Sequence, residues 1–582
     1  MLRLRLPVRR MHRPDDEIRM TLRLASPPFA APPWNDAALA PGSYEALRDG
    51  FAWRLPARFN IAEACADAWA AREPERICLI EDRGEAPART LTYGGLARRS
   101  RGLAASLARH GVRRGDRVAI VLPQGFEAAV AHLAAYRLGA IAVPLAQRFG
   151  PDALGFRLKA SGSRAAIVDA ASLATLRAVA AELPELEQVV AVEAAEPGLL
   201  DFARLEREAP WQEPTATGPD DPAMIIFTSG TTGPPKGALH GHRVLLGHLP
   251  GMRFHHEGFP LTGDRLWTPS DWAWAGGLLN ALLPSLYFGV PVVFAGGRFD
   301  AGAAFDLMAR QRVRNAFLPA TALRMLKAAA TPEAIAGLDL RTIGSAGETL
   351  PRDTYRWVQK TMGLTVNEFY GQTECNMVLG SSAAFGVSRA GAIGKQVPGH
   401  RVVILGEDGQ PVPAGQAGGI AVEAPDPVMF LGYWQDPEAT RRKIRGGWLL
   451  TGDQGVMDAD GYAVFVGRDD DLITSAGYRI GPGEVEDCLL AHPAVKLAAV
   501  VGKPDPLRTE IVKAYVVPAD GVAADAALAG EIQRFVRERL SAHEYPREVA
   551  FVAEMPLTTS GKIIRRLFRE RAVAEAEAAA LN

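Results

Sequence analysis

The hydrophobic positions in residues 91–145 follow two alternating periods. Apolar residues three or four apart predict amphipathic helices from Tyr93 to His110 and from Phe126 to Arg137. Short apolar runs predict buried strands from Arg117 to Leu122 and from Ala140 to Pro144. Strands that alternate with helices are typical of parallel α/β structure, so we expect an α/β fold class here.

The same alternation continues to about residue 465 and then changes. Further buried strands are predicted at Ala165 to Val168, Ala223 to Phe227, Val290 to Phe294 and Val313 to Leu318. Within residues 396–466 the strands are short and lie between Gly, Pro and Asp turns, which favours a small distorted β-barrel. These strands are Arg401 to Leu405, Gly419 to Val422 and Ala463 to Val466.

The segment after Gly467 has its own pattern of strands and a helix, and it is long enough to fold as a separate domain. The predicted elements are Leu497 to Val501, Val512 to Val517, the helix Ala527 to Leu540, and Glu548 to Val552. We therefore expect a large domain over residues 51–467 and a small mobile α+β cap domain over 468–572. Residues 1–50 read as an extension, disordered or upstream of the true start, and residues 573–582 as a tail that is a frayed helix or disordered.

Composition narrows the class of protein. At 582 residues and 48% hydrophobic content, the chain is long enough for two or more cores. A net charge of −1 gives no field that would attract nucleic acid or an acidic membrane, so the expected partners are small molecules. The four cysteines lack C-x-x-C spacing, which argues against zinc ribbons and disulfide frameworks and suits the cytoplasm. The uncharged stretch from Trp272 to Gly297 is broken by Pro284, Gly289 and Pro291, so we interpret it as core and not as a membrane span.

A Gly-rich loop directly follows the apolar run that ends at Phe227. Glycine backbone can turn its N–H groups inward around an anion, hydroxyls add donors, and Lys236 adds a positive charge, so the loop is suited to phosphate. Pro235 before the lysine and Gly237 after it exclude a Walker A motif. A plain surface turn would not need four hydroxyls and a lysine together. The candidate phosphate-binding residues are Thr228, Ser229, Gly230, Thr231, Thr232, Gly233 and Lys236.

This loop resembles the signature of the adenylate-forming superfamily, which includes acyl-CoA synthetases, adenylation domains and luciferases. Further clusters follow in the order that the superfamily requires. Residues 344–349 resemble the adenine-side loop, with Gly347 and Glu348 as candidate contacts. Residues 448–453 end in Asp453, whose carboxylate can accept from both ribose hydroxyls, although Thr-Gly-Asp is also a plain turn.

A second nucleotide-side cluster covers residues 368–374. Tyr370 can stack on adenine, Thr373 can donate to the α-phosphate, and Glu374 is a hard oxygen ligand suited to Mg²⁺. The alternative is a strand end followed by a helix that Thr373 caps. The candidate contacts are Glu368, Phe369, Tyr370, Gly371, Gln372, Thr373 and Glu374.

The remaining clusters lie in the C-terminal fifth of the chain. Arg468 resembles a second ribose contact, and Asp470 occupies the hinge position of the family, where three acids in a row could also be a solvated linker. Lys562, in the string from Pro556 to Arg566, resembles the lysine that the small domain brings into the active site.

The resemblance implies a two-step ligase that uses ATP, Mg²⁺ and coenzyme A. Acyl-AMP and pyrophosphate form first, and after rotation about Asp470 the CoA thiol attacks and AMP leaves. Catalytic roles are implied for Lys562, Thr373, Glu374 and Lys236. In the second state the loop of Ala476, Gly477 and Tyr478 resembles the wall of the pantetheine tunnel. Arg479, Arg508 and Arg537 are candidates for CoA phosphates, with Gln147 on the large domain.

The acid is predicted from Gly371. Acetate-specific relatives carry at this position a tryptophan that walls off the acyl pocket, so glycine is expected to leave room for a medium-length aliphatic or an aromatic acid, as in the medium-chain acyl-CoA synthetases. Trp274, Gly276, Gly277 and Leu278 are expected near the same cavity. Tryptophan at Gly371 is then expected to shift preference toward acetate or propionate.

Two other functions remain open at this point. An adenylation enzyme could load a carrier protein instead of CoA, or a silent relative could sense acyl-adenylates. The chain length and the Gly477-Tyr478-Arg479 loop favour CoA, and the presence of every candidate polar residue disfavours the silent relative. A monomer or homodimer is expected.

Overall fold

A computed structural model describes residues 43–193, 196–207, 215–228, 234–468, 471–475, 478–506, 508–540, 544–557 and 563–580. Within these residues the strands form two large sheets and two smaller ones. The α/β fold class is confirmed, and the strands predicted from apolar runs are all present with shifts of a few residues at their ends.

The first large sheet has nine strands within the described residues and is parallel through its centre. Antiparallel strands flank it at both edges. Its order is Lys395–Gln396, Cys375–Gly380, Val366–Gln372, Thr342–Ser345, Asn315–Phe317, Leu266–Trp267, Val292–Phe294, Ile77–Arg83 and Ala86–Thr92.

The second large sheet has eight strands within the described residues. Its central strands are parallel, and they are buried on both faces, which explains why they appear in the sequence as continuous apolar runs. Its order is Gly432–Tyr433, Gly237–Gly241, Pro222–Phe227, Ile141–Pro144, Arg117–Val121, Ser163–Asp169, Gln188–Val192 and Leu200–Asp201.

Helices cover both large sheets. The predicted helix from Tyr93 begins where the Thr92 side chain accepts a hydrogen bond from the Gly95 N–H group, and the next ends at Gly139, whose φ of 66° suits glycine. The α-helices are Tyr44–Asp49, Ala68–Arg72, Tyr93–Arg109, Phe126–Leu138, Pro151–Ser161, Ala170–Val179, Phe202–Leu205, Arg243–His255, Ala275–Gly277, Leu283–Phe288, Ala301–Arg310, Ala320–Ala329, Pro332–Ala336, Arg352–Met362 and Pro437–Lys443. Single turns of π-helix lie at Glu63–Asp67 and Leu278–Leu282, and 3₁₀ turns lie at Ala180–Glu182 and Ala383–Phe385.

The segment predicted as a distorted barrel forms a five-stranded antiparallel sheet. Its strands are Val402–Leu405, Ala417–Glu423, Trp448–Met457, Ile444–Arg445 and Ala463–Arg468. This sheet places Asp453 and Arg468 directly opposite each other on neighbouring strands.

A separate five-stranded sheet follows, with its own core of apolar side chains between the sheet and its helices. Its strands are Tyr478–Ile480, Ile473–Ser475, Thr509–Pro518, Val495–Asp505 and Glu548–Phe551, and its helices are Pro482–Leu490, Ala526–Arg539 and Arg565–Ala580. The last helix includes most of the predicted tail, and Glu575 in it pairs with Lys513 of the central strand.

Residues 43–50, which the sequence assigned to the extension, include a helix that packs on the large domain. Tyr44 and Leu47 are buried, and the Tyr44 hydroxyl donates to the Gln396 carbonyl at 2.9 Å. The stretch from Trp272 to Gly297 forms buried helical turns and a strand. Across the described residues we find no helix with the length and apolar character needed to cross a membrane.

Candidate active site

The phosphate-loop candidates join two antiparallel strands, Pro222–Phe227 and Gly237–Gly241. The Thr228 N–H group donates to the Lys236 carbonyl at 2.9 Å and so closes the base of the loop. Ser229, Gly230, Thr231, Thr232 and Gly233 lie outside the described residues. A Cβ at Gly237 would lie 2.7 Å from the Ile225 side chain, so the loop ends at a position where only glycine fits.

Thr373 and Glu374 form the turn between the antiparallel strands Val366–Gln372 and Cys375–Gly380. The alternative interpretation, in which Thr373 caps a helix, is therefore wrong, because the chain turns back as a hairpin. The turn is held at its far side by the Phe430 N–H group, which donates to the Glu374 carbonyl at 2.9 Å.

A tyrosine connects Glu374 to Lys236. The Tyr433 hydroxyl donates to Glu374 Oε1 at 2.5 Å, and Lys236 Nζ lies 5.3 Å from the centre of the Tyr433 ring. Burial and the Glu374 carboxylate raise the pKa of Tyr433, so its hydroxyl keeps its proton and acts as a donor. Tyr433 reaches this place because its short strand pairs with the strand that begins at Gly237.

Asp453 lies at the centre of a polar network on the other side of the hairpin. Its Oδ2 accepts from the Tyr370 hydroxyl at 2.5 Å and from Gln372 Nε2 at 2.6 Å, and Arg468 Nε lies 3.9 Å from Oδ1. Burial raises the pKa of Asp453, while Tyr370, Arg468, Gln372 and Lys443 oppose the rise. The structure thus brings together four residues that the sequence placed around a nucleoside.

The adenine-side loop follows the strand Thr342–Ser345, next to the strand that carries Tyr370. Glu348 Oε2 accepts from Thr321 Oγ1 at 2.7 Å, and Gly347 has a φ of 88°, which favours glycine. Because these strands are parallel, their carboxyl ends bring this loop and the Thr373 hairpin to the same edge of the sheet.

Phe369 points away from this edge and into an aromatic cluster. Its ring lies 5.3 Å from the ring of Phe317 and 4.5 Å from that of His255. Phe369 is 3% exposed, so in this structure it supports the strand from inside the core.

Glu368 has an unusual environment at the same strand. Burial raises the pKa of Glu368 to about 8, a hydrogen bond from the Leu350 backbone opposes the rise, and Asp487 of the small domain adds to it. Burial, Glu486 and Asp353 likewise raise the pKa of Asp487 to about 7, against Arg324 and Arg352.

We expect Glu368→Gln to stabilise the protein at alkaline pH. The protonated carboxyl is favoured in the folded chain, because its pKa is higher there than in the unfolded chain. The stability that this difference contributes is fully present below the pKa of the unfolded chain and is lost as pH rises toward about 8. The variant should exceed the wild type in free energy of unfolding by roughly 2–4 kcal/mol at pH 8.5. Urea titrations at pH 5 and pH 8.5 measure the difference, with Glu333→Gln at an exposed helix position as the control. An equal gain in free energy of unfolding at both pH values would contradict the raised pKa of Glu368.

The structure leaves little space for a side chain at Gly371, the position that the sequence predicted to leave room for the acid. A Cβ at Gly371 would lie 2.3 Å from the Met377 nitrogen and 2.6 Å from the Asn376 Cα, so the space is filled by the returning strand of the hairpin. Met377 has a φ of 62° and is fully buried. The side-chain direction that an indole would take is therefore blocked by backbone.

The other acyl-pocket candidates separate into two groups. A Cβ at Gly276 would lie 3.2 Å from the edge of the Phe317 ring, which in turn contacts Phe369. Trp274 instead packs against Phe149, with 5.9 Å between ring centres. Gly276 is thus connected to the hairpin that carries Gly371, whereas Trp274 belongs to the cluster beneath the second sheet.

The CoA candidates do not converge in the described residues. Gln147 donates to Asp169, which caps the next helix, and Arg537 lies 5.6 Å from the ring of Tyr545. The Arg508 N–H group donates to Asp505 Oδ1 at 2.8 Å. Tyr478 and Arg479 are described only as strand backbone, and four candidates lie outside the described residues, namely Asp470, Ala476, Gly477 and Lys562.

Two polar residues of the site were absent from the sequence-based candidates. Tyr433 precedes the helix Pro437–Lys443 and Lys443 is its last residue, and both reach the hairpin through tertiary contacts. In the sequence, these two residues show only that they are polar and lie next to buried segments. That pattern does not identify the residues that they contact.

Comparison with known proteins agrees with this geometry. Residues 66–434 match the family described as AMP-binding enzyme, and residues 484–562 match the AMP-binding enzyme C-terminal domain. The mouse mitochondrial acyl-coenzyme A synthetase ACSM3 is 33% identical over 548 residues, which cover 91% of this chain and 93% of the relative.

Two solved structures are also similar. The acyl-CoA synthetase of Brucella canis is 36% identical with a TM-score of 0.69, and the alignment covers 93% of this chain and 99% of that one. The anthranilate CoA ligase AuaEII, solved with anthranoyl-AMP, is 27% identical with a TM-score of 0.81, over 90% of this chain and 99% of that one. The chain therefore belongs to the AMP-binding enzyme family and, within it, to the acyl-CoA synthetases, which are acid–thiol ligases.

Proposed function

We propose that this protein joins a medium-length aliphatic or an aromatic carboxylic acid to coenzyme A in two steps through an acyl-AMP intermediate. The observation that carries the proposal is the convergence of Lys236, Glu374, Tyr370 and Asp453, from three different sheets, around the hairpin that contains Thr373. Side chains of this kind are what a nucleotide with a polyphosphate requires.

The first step brings a carboxylate to the α-phosphorus of ATP, so catalysis consists of positioning two anions and neutralising the charge that grows on the phosphoryl oxygens. The Lys236 ammonium and the Thr373 hydroxyl are the donors at the loop and the hairpin. Asp453 and Arg468 hold the ribose, and Tyr370 faces the base.

The donor set near Glu374 fits a magnesium ion. Mg²⁺ binds through one or two carboxylates together with substrate phosphates, and Glu374 supplies one carboxylate whose Oε1 is oriented by Tyr433. When bound, the ion neutralises phosphate charge. In the part of the chain that the structure describes, no three acidic, histidine or cysteine side chains form a metal site by themselves, so the phosphates complete the coordination.

An aromatic acid is supported by the cluster behind the hairpin. Phe317, Phe369 and His255 form a buried aromatic cluster, and the Phe317 ring lies next to Gly276. The relative solved with anthranoyl-AMP, an aromatic acyl-adenylate, keeps the same fold over nine-tenths of this chain. Loading of a carrier protein and sensing of acyl-adenylates are the alternatives.

A panel of acids tests the proposal. Pyrophosphate exchange is measured with acetate, hexanoate, octanoate, benzoate and anthranilate, and thioester formation is then measured with CoA. We expect exchange and thioester with at least one acid larger than propionate. Exchange without thioester would favour the carrier-loading enzyme, and ATP binding without exchange would favour the sensor.

We expect Gly276→Val to narrow the acid range. The added methyls would fill the space next to the Phe317 ring, 3.2 Å from the Cβ position. One or two methyl groups in an apolar pocket change discrimination by about 10–200-fold, so kcat/KM for the largest accepted acid should fall at least about tenfold relative to propionate. The matched control is Gly296→Val, because a Cβ there meets no atom within 4 Å. An unchanged ratio in Gly276→Val would place the acid elsewhere.

A further inference from the structure

The ammonium of Lys443 enters the network around Asp453 from a helix that carries none of the predicted nucleotide contacts. Lys443 is the last residue of Pro437–Lys443, and its Nζ donates to Gln372 Oε1 at 2.9 Å and to the Thr451 carbonyl at 3.0 Å. Arg441 and Arg442 in the same turn point outward and pair with Glu438. The lysine is therefore the one cation of this turn, among the described residues, that faces the site.

The contact helps to fix which way the Gln372 amide points. An ammonium group can only donate, so the amide oxygen must face Lys443 and the amide nitrogen must face the other side. There Nε2 donates to Asp453 Oδ2 at 2.6 Å and to the Thr451 carbonyl at 2.9 Å. Both of these partners only accept, so they hold the amide nitrogen on their side while Lys443 holds the amide oxygen on the other.

The oriented amide and Tyr370 share one carboxylate oxygen of Asp453. Tyr370 and Gln372 both donate to Oδ2 of Asp453, so Oδ1 is the oxygen left to accept from a ribose hydroxyl. Asp453 is 5% exposed and Thr451 is 2% exposed, so the network is shielded from water and the orientation of each group depends on its neighbours.

The charge of Lys443 also favours the ionised form of Asp453. The groups that face Asp453 are Tyr370 and Gln372 from the hairpin, Arg468 from the neighbouring strand and Lys443 from the helix. Burial disfavours the carboxylate, and two cations in this set oppose that effect. The Arg468 side chain is 39% exposed, so solvent screens its contribution.

We propose that Lys443 is a positioning residue for ATP, which acts through Gln372 to present Asp453 Oδ1 as an ionised acceptor for the ribose. The inference rests on the proposed function, because it takes Asp453 as the ribose contact. It adds a residue that touches neither the nucleotide nor the acid.

The test compares Lys443→Met and Lys443→Gln with the wild type between pH 5.5 and pH 9. In Lys443→Met we expect the KM for ATP in pyrophosphate exchange to rise about tenfold while kcat changes less than about threefold. The acidic limb of kcat/KM for ATP should move to higher pH, because a nearby positive charge that favours the carboxylate has been lost. Lys443→Gln keeps a donor for Gln372 but not the charge. Its KM for ATP should therefore lie between those of the wild type and Lys443→Met, while its acidic limb of kcat/KM should shift as in Lys443→Met.

The matched control is Arg442→Met, in the same helical turn but facing solvent, which should leave both quantities unchanged. An unchanged KM for ATP in Lys443→Met, or an acidic limb that does not move, would overturn the inference. Equilibrium binding of ATP to the same variants is measured in parallel. If the wild type shows no pyrophosphate exchange with any acid of the panel, the proposed function fails. The role of Lys443 is then judged from ATP binding alone. A tenfold weaker Kd for ATP in Lys443→Met still supports that role, and an equal Kd rejects it. If Lys443→Met does not fold, Lys443→Gln carries the pH comparison.

Discussion

Lys562→Ala is expected to slow acyl-AMP formation by about 10²–10³ and to leave thioester formation from supplied acyl-AMP within about threefold of the wild type. In the proposed two-step reaction the half-reactions use different faces of the small domain, and only the first needs an ammonium group beside the phosphates. Removal of one preorganised donor in an acyl- or phosphoryl-transfer site costs a factor of this size.

Contacts of the neighbouring residues support the assignment. Arg565, three residues after Lys562 in the sequence, donates to Glu486 Oε1 at 2.9 Å. Burial of Arg565 opposes its charge, but Glu486, Asp471 and Glu348 outweigh burial and raise the pKa of the guanidinium. Glu348 belongs to the adenine-side loop, so the chain that follows Lys562 lies within electrostatic reach of the predicted nucleotide site.

The measurement separates pyrophosphate exchange from the reaction of prepared acyl-AMP with CoA. Lys496→Ala is the matched control, since Lys496 lies on the same small domain and pairs with Asp520 at the surface. Equal losses in both half-reactions would contradict the two-state assignment, and an unchanged exchange rate would remove Lys562 from the first step.

The strands and the three helices that the sequence predicted could be read because their signals are local. A run such as Ala223 to Phe227 is buried on both faces of a parallel sheet, so its apolar character is visible without knowledge of its neighbours. The hairpin at Thr373 was harder to read, because a polar turn and a helix cap use the same residue types.

The two site residues that were absent from the sequence-based candidates contact partners that lie far away in the sequence. Tyr433 bonds to a carboxylate 59 positions away, and Lys443 to an amide 71 positions away. Neither lies in a recognisable motif, and their partners follow from strand pairing that cannot be read from one sequence. The same limit applies at Gly371, where the path of Asn376 and Met377 decides how much space a side chain would have.

Gly371→Trp is accordingly expected to prevent stable folding and not to produce an acetate-preferring enzyme. A side chain at this position starts 2.3 Å from the Met377 nitrogen, and the obstacle is the backbone of a paired strand, which cannot rotate away as a side chain can. Overpacking of a buried site typically costs 1–3 kcal/mol for small additions, so Gly371→Ala should lose about that much in free energy of unfolding. The indole should lose more and leave most of the expressed protein insoluble.

Urea unfolding of Gly371→Ala and the soluble yield of Gly371→Trp measure these effects, with Gly296→Ala and Gly296→Trp as matched controls at a glycine that has open space around it. A soluble Gly371→Trp protein within about 1 kcal/mol of the wild type would show that the hairpin yields to the indole. In that case the strand Cys375–Gly380 would have to move, and an accompanying shift toward acetate would restore the acyl pocket to this position. With the strand fixed, we expect the acid to be selected on the Gly276 and Phe317 side, because the glycine there meets a side chain and not backbone.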